Sequence, residues 1–452
     1  MPLPLLIHKK ENNTMKKSLI AVAVATALGA AAPVFALTLD ESNGKTVSLD
    51  IESMVGNFST SEDYLGEGGK DWQEAYLKAV LNGAQSMDSG TLYGGLGAIA
   101  LGTFGDGDAG GYTNGDESRV ALDSAFVGWK TADESIDFSV GRQIFQLGDG
   151  FLIAGDAISL GEGLEDAFGV DVDRGGAYYL AGQKSFSNTA ILRFDPAGNL
   201  RGDLFWLKSD NPFHQDTTLA GLNLEWVSEQ GTLAASYLDI LSVEEDAGLS
   251  LWNQREGMKV LSLRGNGNAG VENLFLSAEY VQQSGGDTDV ENDGNAWYVE
   301  AGWTFADAPW TPNLNARYAS FSGDDASTTD NEAFDPLFFG FTRGFGTWFQ
   351  GEVASNYSGP ANSGNDVTKV ELSLFPSESL MIGLQSWQFT PQDDADDTAG
   401  DEIDLYAMWT INDNVIFSPL VGWYTPKGDT VKTNQGNDDT NFYAQAVLML
   451  FY

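Results

Sequence analysis

The strongest constraint on this chain is a period of two that recurs from Val47 to the last residue. Val47, Leu49 and Ile51 alternate with Ser48, Asp50 and Glu52. Trp297, Val299, Ala301, Trp303 and Phe305 alternate with Tyr298, Glu300, Gly302 and Thr304. Ile403, Leu405, Ala407 and Trp409 alternate with Asp404, Tyr406 and Met408. Successive side chains of a strand point to opposite faces, so each segment reads as a strand with one apolar and one wet face. A soluble sandwich shows the same alternation. The connections separate the two.

Strands are expected near 47–57, 70–83, 90–103, 117–130, 135–145, 174–194, 201–209, 217–228 and 231–242, then 256–265, 271–283, 295–306, 313–322, 365–375, 379–390, 401–411, 413–424 and 441–452. Every second connection is short: 84–89, 131–134, 195–200, 229–230, 266–270, 307–312, 376–378 and Asn412. The others are mostly longer and acidic, as in 104–116, 146–173, 323–364 and 425–440. Short turns on one side and long loops on the other is the phase of an outer-membrane barrel. The expected fold is all-β, a transmembrane antiparallel β-barrel of eighteen strands with infolded extracellular loops. The long sixth segment leaves sixteen or twenty strands open. Trp72, Trp129, Trp226, Trp297, Trp303, Trp387, Trp409, Trp423 and Tyr424 fall near strand ends, where interfacial girdles belong.

The amino terminus carries an export address. Met15-Lys16-Lys17 precedes an apolar run from Leu19 to Ala32, and Val34-Phe35-Ala36 supplies a small-residue cleavage site. Residues 1–36 are expected to be removed as a signal peptide whose true start is Met15, leaving 37–452 as a single barrel domain. The removed part holds four lysines and one glutamate, so 19 basic and 64 acidic residues remain. Such acidity repels a phosphate backbone, so nucleic acid is excluded as a partner. With no cysteine, thiolate sites and thiol nucleophiles are absent as well. The carboxy-terminal strand presents Phe442, Ala444, Ala446, Leu448, Leu450 and Tyr452 on one face. Its aromatic end resembles the signal read by the barrel-assembly machinery, and outer-membrane lipid and lipopolysaccharide are the expected surroundings, in a Gram-negative bacterium.

Two connections are too apolar to stay in water. Residues 146–173 have an apolar centre around Phe151-Leu152-Ile153, and 323–364 contain Phe334-Asp-Pro-Leu-Phe-Phe-Gly. Both are expected to fold onto the mouth or into the lumen. Val140-Gly-Arg-Gln-Ile-Phe, Gly148-Asp-Gly, Phe334-Asp-Pro-Leu-Phe-Phe-Gly and Gly346-Thr-Trp-Phe-Gln-Gly-Glu resemble patches of the alginate-export porin family. That resemblance implies an eighteen-stranded channel for acidic polysaccharide with a cationic constriction, and it assigns the cationic positions to Arg142 and Arg343.

Strand parity supplies further lumen candidates. Lys78, Arg119, Arg193, Arg317 and Lys369 share a face with carboxylates such as Glu300, and Asp149 lies in the first apolar loop. Arg142 shares parity with Ile136, Phe138 and Val140, so it faces the lumen only if Gly141 marks a bulge. Guanidinium groups in a pore stabilise carboxylates and hydroxyls through forked hydrogen bonds. Each can equally serve a lumen ion pair. Asp106 and Asp108 resemble part of a hard-cation loop for surface Ca²⁺ or Mg²⁺, without the remaining ligand spacing; no cofactor is expected. An enzyme is not expected, because His214 stands without a nucleophile elbow. The expected function is passive, partly selective diffusion of hydrophilic solutes, with a saccharide or acidic oligosaccharide as substrate. A plugged structural or adhesin-type barrel and a cation-preferring general porin are the alternatives.

Overall fold

The computed structural model describes residues 36–63, 68–244, 253–286, 290–340, 362–392, 399–427 and 437–452. A short β1(Leu37–Ser42) leads into four tall strands, β2(Lys45–Thr60), β3(Lys70–Met87), β4(Gly90–Gly105) and β5(Asp116–Thr131). After β6(Ile136–Gln143) come two short strands, β7(Gln146–Leu147) and β8(Ile153–Ala154), and one helical turn, α1(Gly163–Phe168). The wall resumes with β9(Phe186–Phe194), β10(Leu200–Lys208), β11(Thr218–Ser228), β12(Gly231–Ser242) and β13(Lys259–Gly267). It continues through β14(Leu274–Ser284), β15(Asn295–Thr304), β16(Asn313–Phe321) and β17(Asn365–Ser377). The last strands are β18(Leu380–Pro391), β19(Gly400–Asn412), β20(Val415–Pro426) and β21(Asn441–Phe451).

Every wall strand pairs antiparallel with its neighbour in sequence, with β6 joining β9, and β21 closes on β2 from Glu52↔Phe451 to Thr60↔Tyr443. Eighteen strands therefore form a closed barrel and no backbone edge meets lipid. The short β1 lies on the same edge of β2, just beyond the point where Tyr452 exchanges backbone hydrogen bonds with Ile51 at 2.7 and 2.8 Å. It was not among the expected strands.

The alternation sorts as expected. Val55, Leu77, Leu204, Leu263, Leu384, Leu405 and Trp409 face outward, while Glu74, Asn223, Glu279, Gln385 and Asp404 are buried inside. Three girdle assignments are corrected: Trp72, Trp387 and Tyr424 are buried in the lumen. Trp129, Trp226, Trp303, Trp409 and Trp423 do face outward.

The expected strand 174–194 is only β9(Phe186–Phe194). Gly175, Gly176, Ala177 and Ala181 have φ of 93°, 74°, 56° and 45°, which an extended ladder does not permit. Residues 144–185 are thus one long connection, and it crosses the lumen. Phe151 stacks among Tyr298, Phe321 and Phe334 at ring separations of 5.2, 5.8 and 6.1 Å. Tyr179 reaches the other wall, 5.3 Å from Phe58 and 5.1 Å from Trp72. These contacts lie on nearly opposite sides of the ring of strands.

Candidate functional site

The pore-lining candidates sort into two groups, those on the wall and those on infolded loops. The most ordered group runs straight across β15 to β19. Glu300 is opposite Arg317, Arg317 opposite Lys369, Lys369 opposite Trp387, and Trp387 opposite Glu402. All five are buried in the lumen wall. The Arg317 guanidinium and the Lys369 ammonium each lie 5.5 Å from the Trp387 ring centroid, within cation–π range. Two cations side by side repel, and Glu371 offsets this by accepting from Lys369 Nζ at 2.6 Å. Tyr406 donates its hydroxyl proton to the same carboxylate.

Farther round the wall, Arg264 donates to Glu225 at 2.7 Å, Asn223 at 2.8 Å and Ser236 at 2.7 Å. Arg201 reaches the other oxygen of Glu225 at 2.8 Å. Arg193 pairs with Asp203 at 3.5 Å and Lys78 with Asp123 at 3.6 Å. Arg201 and Arg264 were missed by sequence reasoning. Their faces also carry Phe205, Leu207 and Val260, buried side chains that made the inward face read as apolar. The cause is local: Phe205 packs on Phe145 of the infolded connection at 4.4 Å.

Gly141 does not carry the extra residue of a bulge: Phe126↔Gly141 and Ala125↔Arg142 stay in register with β5, and the irregularity against β9 falls at Ser187 and Asn188. The φ of Gly141 is 122°, and the β6–β9 register shifts between Gly141 and Gln143. Arg142, opposite Ala125 of β5, holds Asp210 through both guanidinium nitrogens. Arg174 of the long connection also approaches Asp210, at 3.7 Å, and donates to the carbonyls of Asp156 and Ile158 at 2.9 and 3.0 Å. Sequence reasoning missed Arg174 because it placed that residue at the start of a strand. Arg119 donates to the Asp173 carbonyl at 3.1 Å. Asp149 accepts from the Tyr298 hydroxyl at 3.3 Å. Arg343 and the stretch Gly346 to Glu352 lie outside the described residues, as do residues 1–35 with the cleavage motif.

The two carboxylates of the hard-cation resemblance have protein partners. Asp108 is buried, and its carboxylate accepts from Gly110 N at 2.7 Å and Thr113 Oγ1 at 2.6 Å. Asp106 accepts from Asp71 N at 3.1 Å. No group of three or more metal-ligating side chains occurs among the described residues.

Both apolar connections enter the barrel and join each other. Ala154 N donates to Phe338 O at 2.8 Å, Phe338 N to Leu152 O at 3.0 Å, and Gly340 N to Gly150 O at 3.0 Å. This bridge and its flanking bond let two loops satisfy backbone groups inside the mouth. Around it stand guanidinium, carboxylate and aromatic groups, which together can exchange hydrogen bonds with a hydrated solute during passage.

No curated protein matches this chain. Among solved structures, a BenF-like porin from Pseudomonas fluorescens aligns at 8% identity with a TM-score of 0.58, covering 90% of this chain and 98% of that one. OccAB2 of Acinetobacter baumannii aligns at 11% identity and 0.56, covering 89% and 98%. The outer membrane protein OprD of Pseudomonas aeruginosa aligns at 10% identity and 0.53, covering 89% and 94%. At these identities the likeness is one of fold. A family model described as alginate export matches residues 84–403, which is most of the chain. The chain therefore belongs to the alginate-export family and is an outer-membrane channel.

Proposed function

We propose that this channel passes hydrophilic solutes by passive, partly selective diffusion, and that its substrate is a saccharide or acidic oligosaccharide. The observation that carries the reading is the row Glu300, Arg317, Lys369, Trp387 and Glu402 on one level of the lumen. Sugar recognition calls for a flat aromatic face with forked donors and acceptors beside it, and uronate recognition calls for guanidinium groups. Arg317 and Lys369 are the donors in this reading, and Glu300 orients Arg317. Arg142, Arg193, Arg119, Lys78 and Asp149 line the approach.

A second reading, a cation-preferring general porin, draws on a specific observation as well. Lys78, Arg142, Arg193, Arg264 and Lys369 each sit on a carboxylate, so the wall offers little uncompensated positive charge. Single-channel conductance of the refolded protein in a planar bilayer, with reversal potential under a salt gradient, separates the two. Anion-selective openings blocked by oligouronate support the saccharide reading, and Arg317→Ala should then lower the anion preference. Cation-selective openings unaffected by oligouronate favour the general porin. A barrel that never opens is structural or adhesive.

A further inference from the structure

His214 is the one histidine among the described residues, and it is 1% exposed. It ends the 3-10 turn Pro212–His214 in the β10–β11 connection, where parts of four extracellular connections meet. Arg255, from the β12–β13 connection, brings Nη1 to 3.2 Å from His214 Nδ1. A guanidinium only donates, so Nδ1 accepts and the imidazole proton sits on Nε2. Nε2 faces Asp156 Oδ1 of the β6–β9 connection at 4.0 Å. The ring rests on Phe338 of the β16–β17 connection at 4.4 Å.

Each polar neighbour anchors one infolded loop. Arg255 donates from Nε and Nη2 to the two oxygens of Asp335, at 2.6 and 2.7 Å. Asp335 is clasped in turn by the Gln283 amide of β14, at 2.8 and 2.7 Å. Asp156 accepts from Ser209 at 2.8 Å and Asn211 at 3.0 Å, and lies 3.4 Å from Arg174. His214 is thus the point where the ion pair holding the β16–β17 connection meets the ion pair holding the β6–β9 connection.

The charged groups around His214 are Arg255, Arg174, Asp156 and, through Arg255, Asp335, with Asp210 and Asp216 on its own segment. A neutral imidazole fits this set. A protonated one would aim an N–H at a guanidinium N–H and add a cation between two arginines. Burial, Arg255 and Arg174 all hold the imidazole well below its usual 6.5. Burial pushes the Asp156 carboxyl up, so acid also weakens its hold on Arg174. Because the assembled cluster favours neutral imidazole, its stability is complete above the ordinary value and falls as the pH drops below it.

We propose that His214 is the pin of an acid-released latch that holds both infolded loops in the barrel mouth. Protonation parts His214 from Arg255, loosens the bridge between Leu152–Ala154 and Phe338, and widens the channel. The widening rests on the channel reading above. The test compares full-length protein at about pH 7.5 and about pH 5, a range set by histidine chemistry. Wild-type conductance should rise severalfold at the acid pH, and His214→Gln, whose amide oxygen still accepts from Arg255, should lose that step. The chain has no cysteine, so Ile153→Cys with Phe338→Cys forms a single cross-link between bridged residues. Oxidation should abolish the step and reduction restore it. An equal step in His214→Gln, or a conducting wild type with no step, would overturn the latch. If the protein never opens, the channel reading fails, and protease cleavage within 323–340 decides the latch alone: cleavage that appears only at acid pH in the wild type supports it, and a pH-independent pattern refutes it.

Discussion

Gly141, next to Arg142, takes a backbone conformation that favours glycine. At φ 122° a side chain is strained, and a Cβ there would stand 2.3 Å from the Ala125 carbonyl oxygen. Gly141→Val should therefore cost on the order of 1–3 kcal/mol and pull Arg142 away from Asp210. Urea unfolding in lipid vesicles would show a lowered midpoint; an unchanged midpoint would mean this backbone tolerates a side chain. Parity put Arg142 with Ile136 and Phe138, and the β5 ladder keeps it opposite Ala125 in line with Val127↔Val140 and Trp129↔Phe138, its charge met by Asp210. The three misplaced aromatics teach the same lesson from the other side. Trp72 shares parity with Glu74 and Lys78, and Trp387 with Gln385, so alternation placed them inward while nearness to a strand end suggested a girdle. Parity is the stronger signal, because a one-residue error would put every charge of the strand into lipid.

An individual strand of this barrel is a contrast between neighbours. In β18, Leu384 is 46% exposed to the surroundings and Gln385 is 0% exposed in the lumen. An arginine on the lipid face at the bilayer midplane costs about 2–4 kcal/mol. Leu384→Arg should lower the unfolding free energy in vesicles by that amount, and a loss under ~0.5 kcal/mol would place Leu384 outside the apolar band. Strand positions and connection phase were legible because both follow from backbone pleat and bilayer thickness. Segment 174–194 was not, since Tyr178-Tyr179-Leu180 has strand-like composition while Gly175-Gly176 bends it into a lumen loop. The upper inward faces misled for a related reason. Phe205, Leu207 and Val260 meet infolded chain rather than water, so polarity no longer marks the lumen there.

The whole molecule is an acidic chain, of net charge -42, around a lumen in which the described cations are largely matched by carboxylates. Net charge consequently says little about the pore. The contents of the barrel, rather than its circumference, set what can pass, and the largest content among the described residues is the connection 144–185. Its removal is informative because the wall does not depend on it: β6 and β9 pair directly from Ile136↔Phe194 to Gln143↔Phe186. Replacing 149–183 with a short Gly/Ser linker should leave eighteen strands closed. It should also uncover Phe58, Trp72, Tyr298 and Phe321, and each large apolar side chain returned to water costs roughly 1.5–3 kcal/mol. The shortened protein should therefore melt at lower temperature while keeping the gel shift of a folded barrel on unheated electrophoresis. With the lumen cleared, conductance should rise well above the acid-opened wild type and its pH step should vanish, because Asp156 and Arg174 leave with the loop. A shortened protein that folds yet conducts like the wild type would place the constriction on the wall, at the level of Arg317, Lys369 and Trp387.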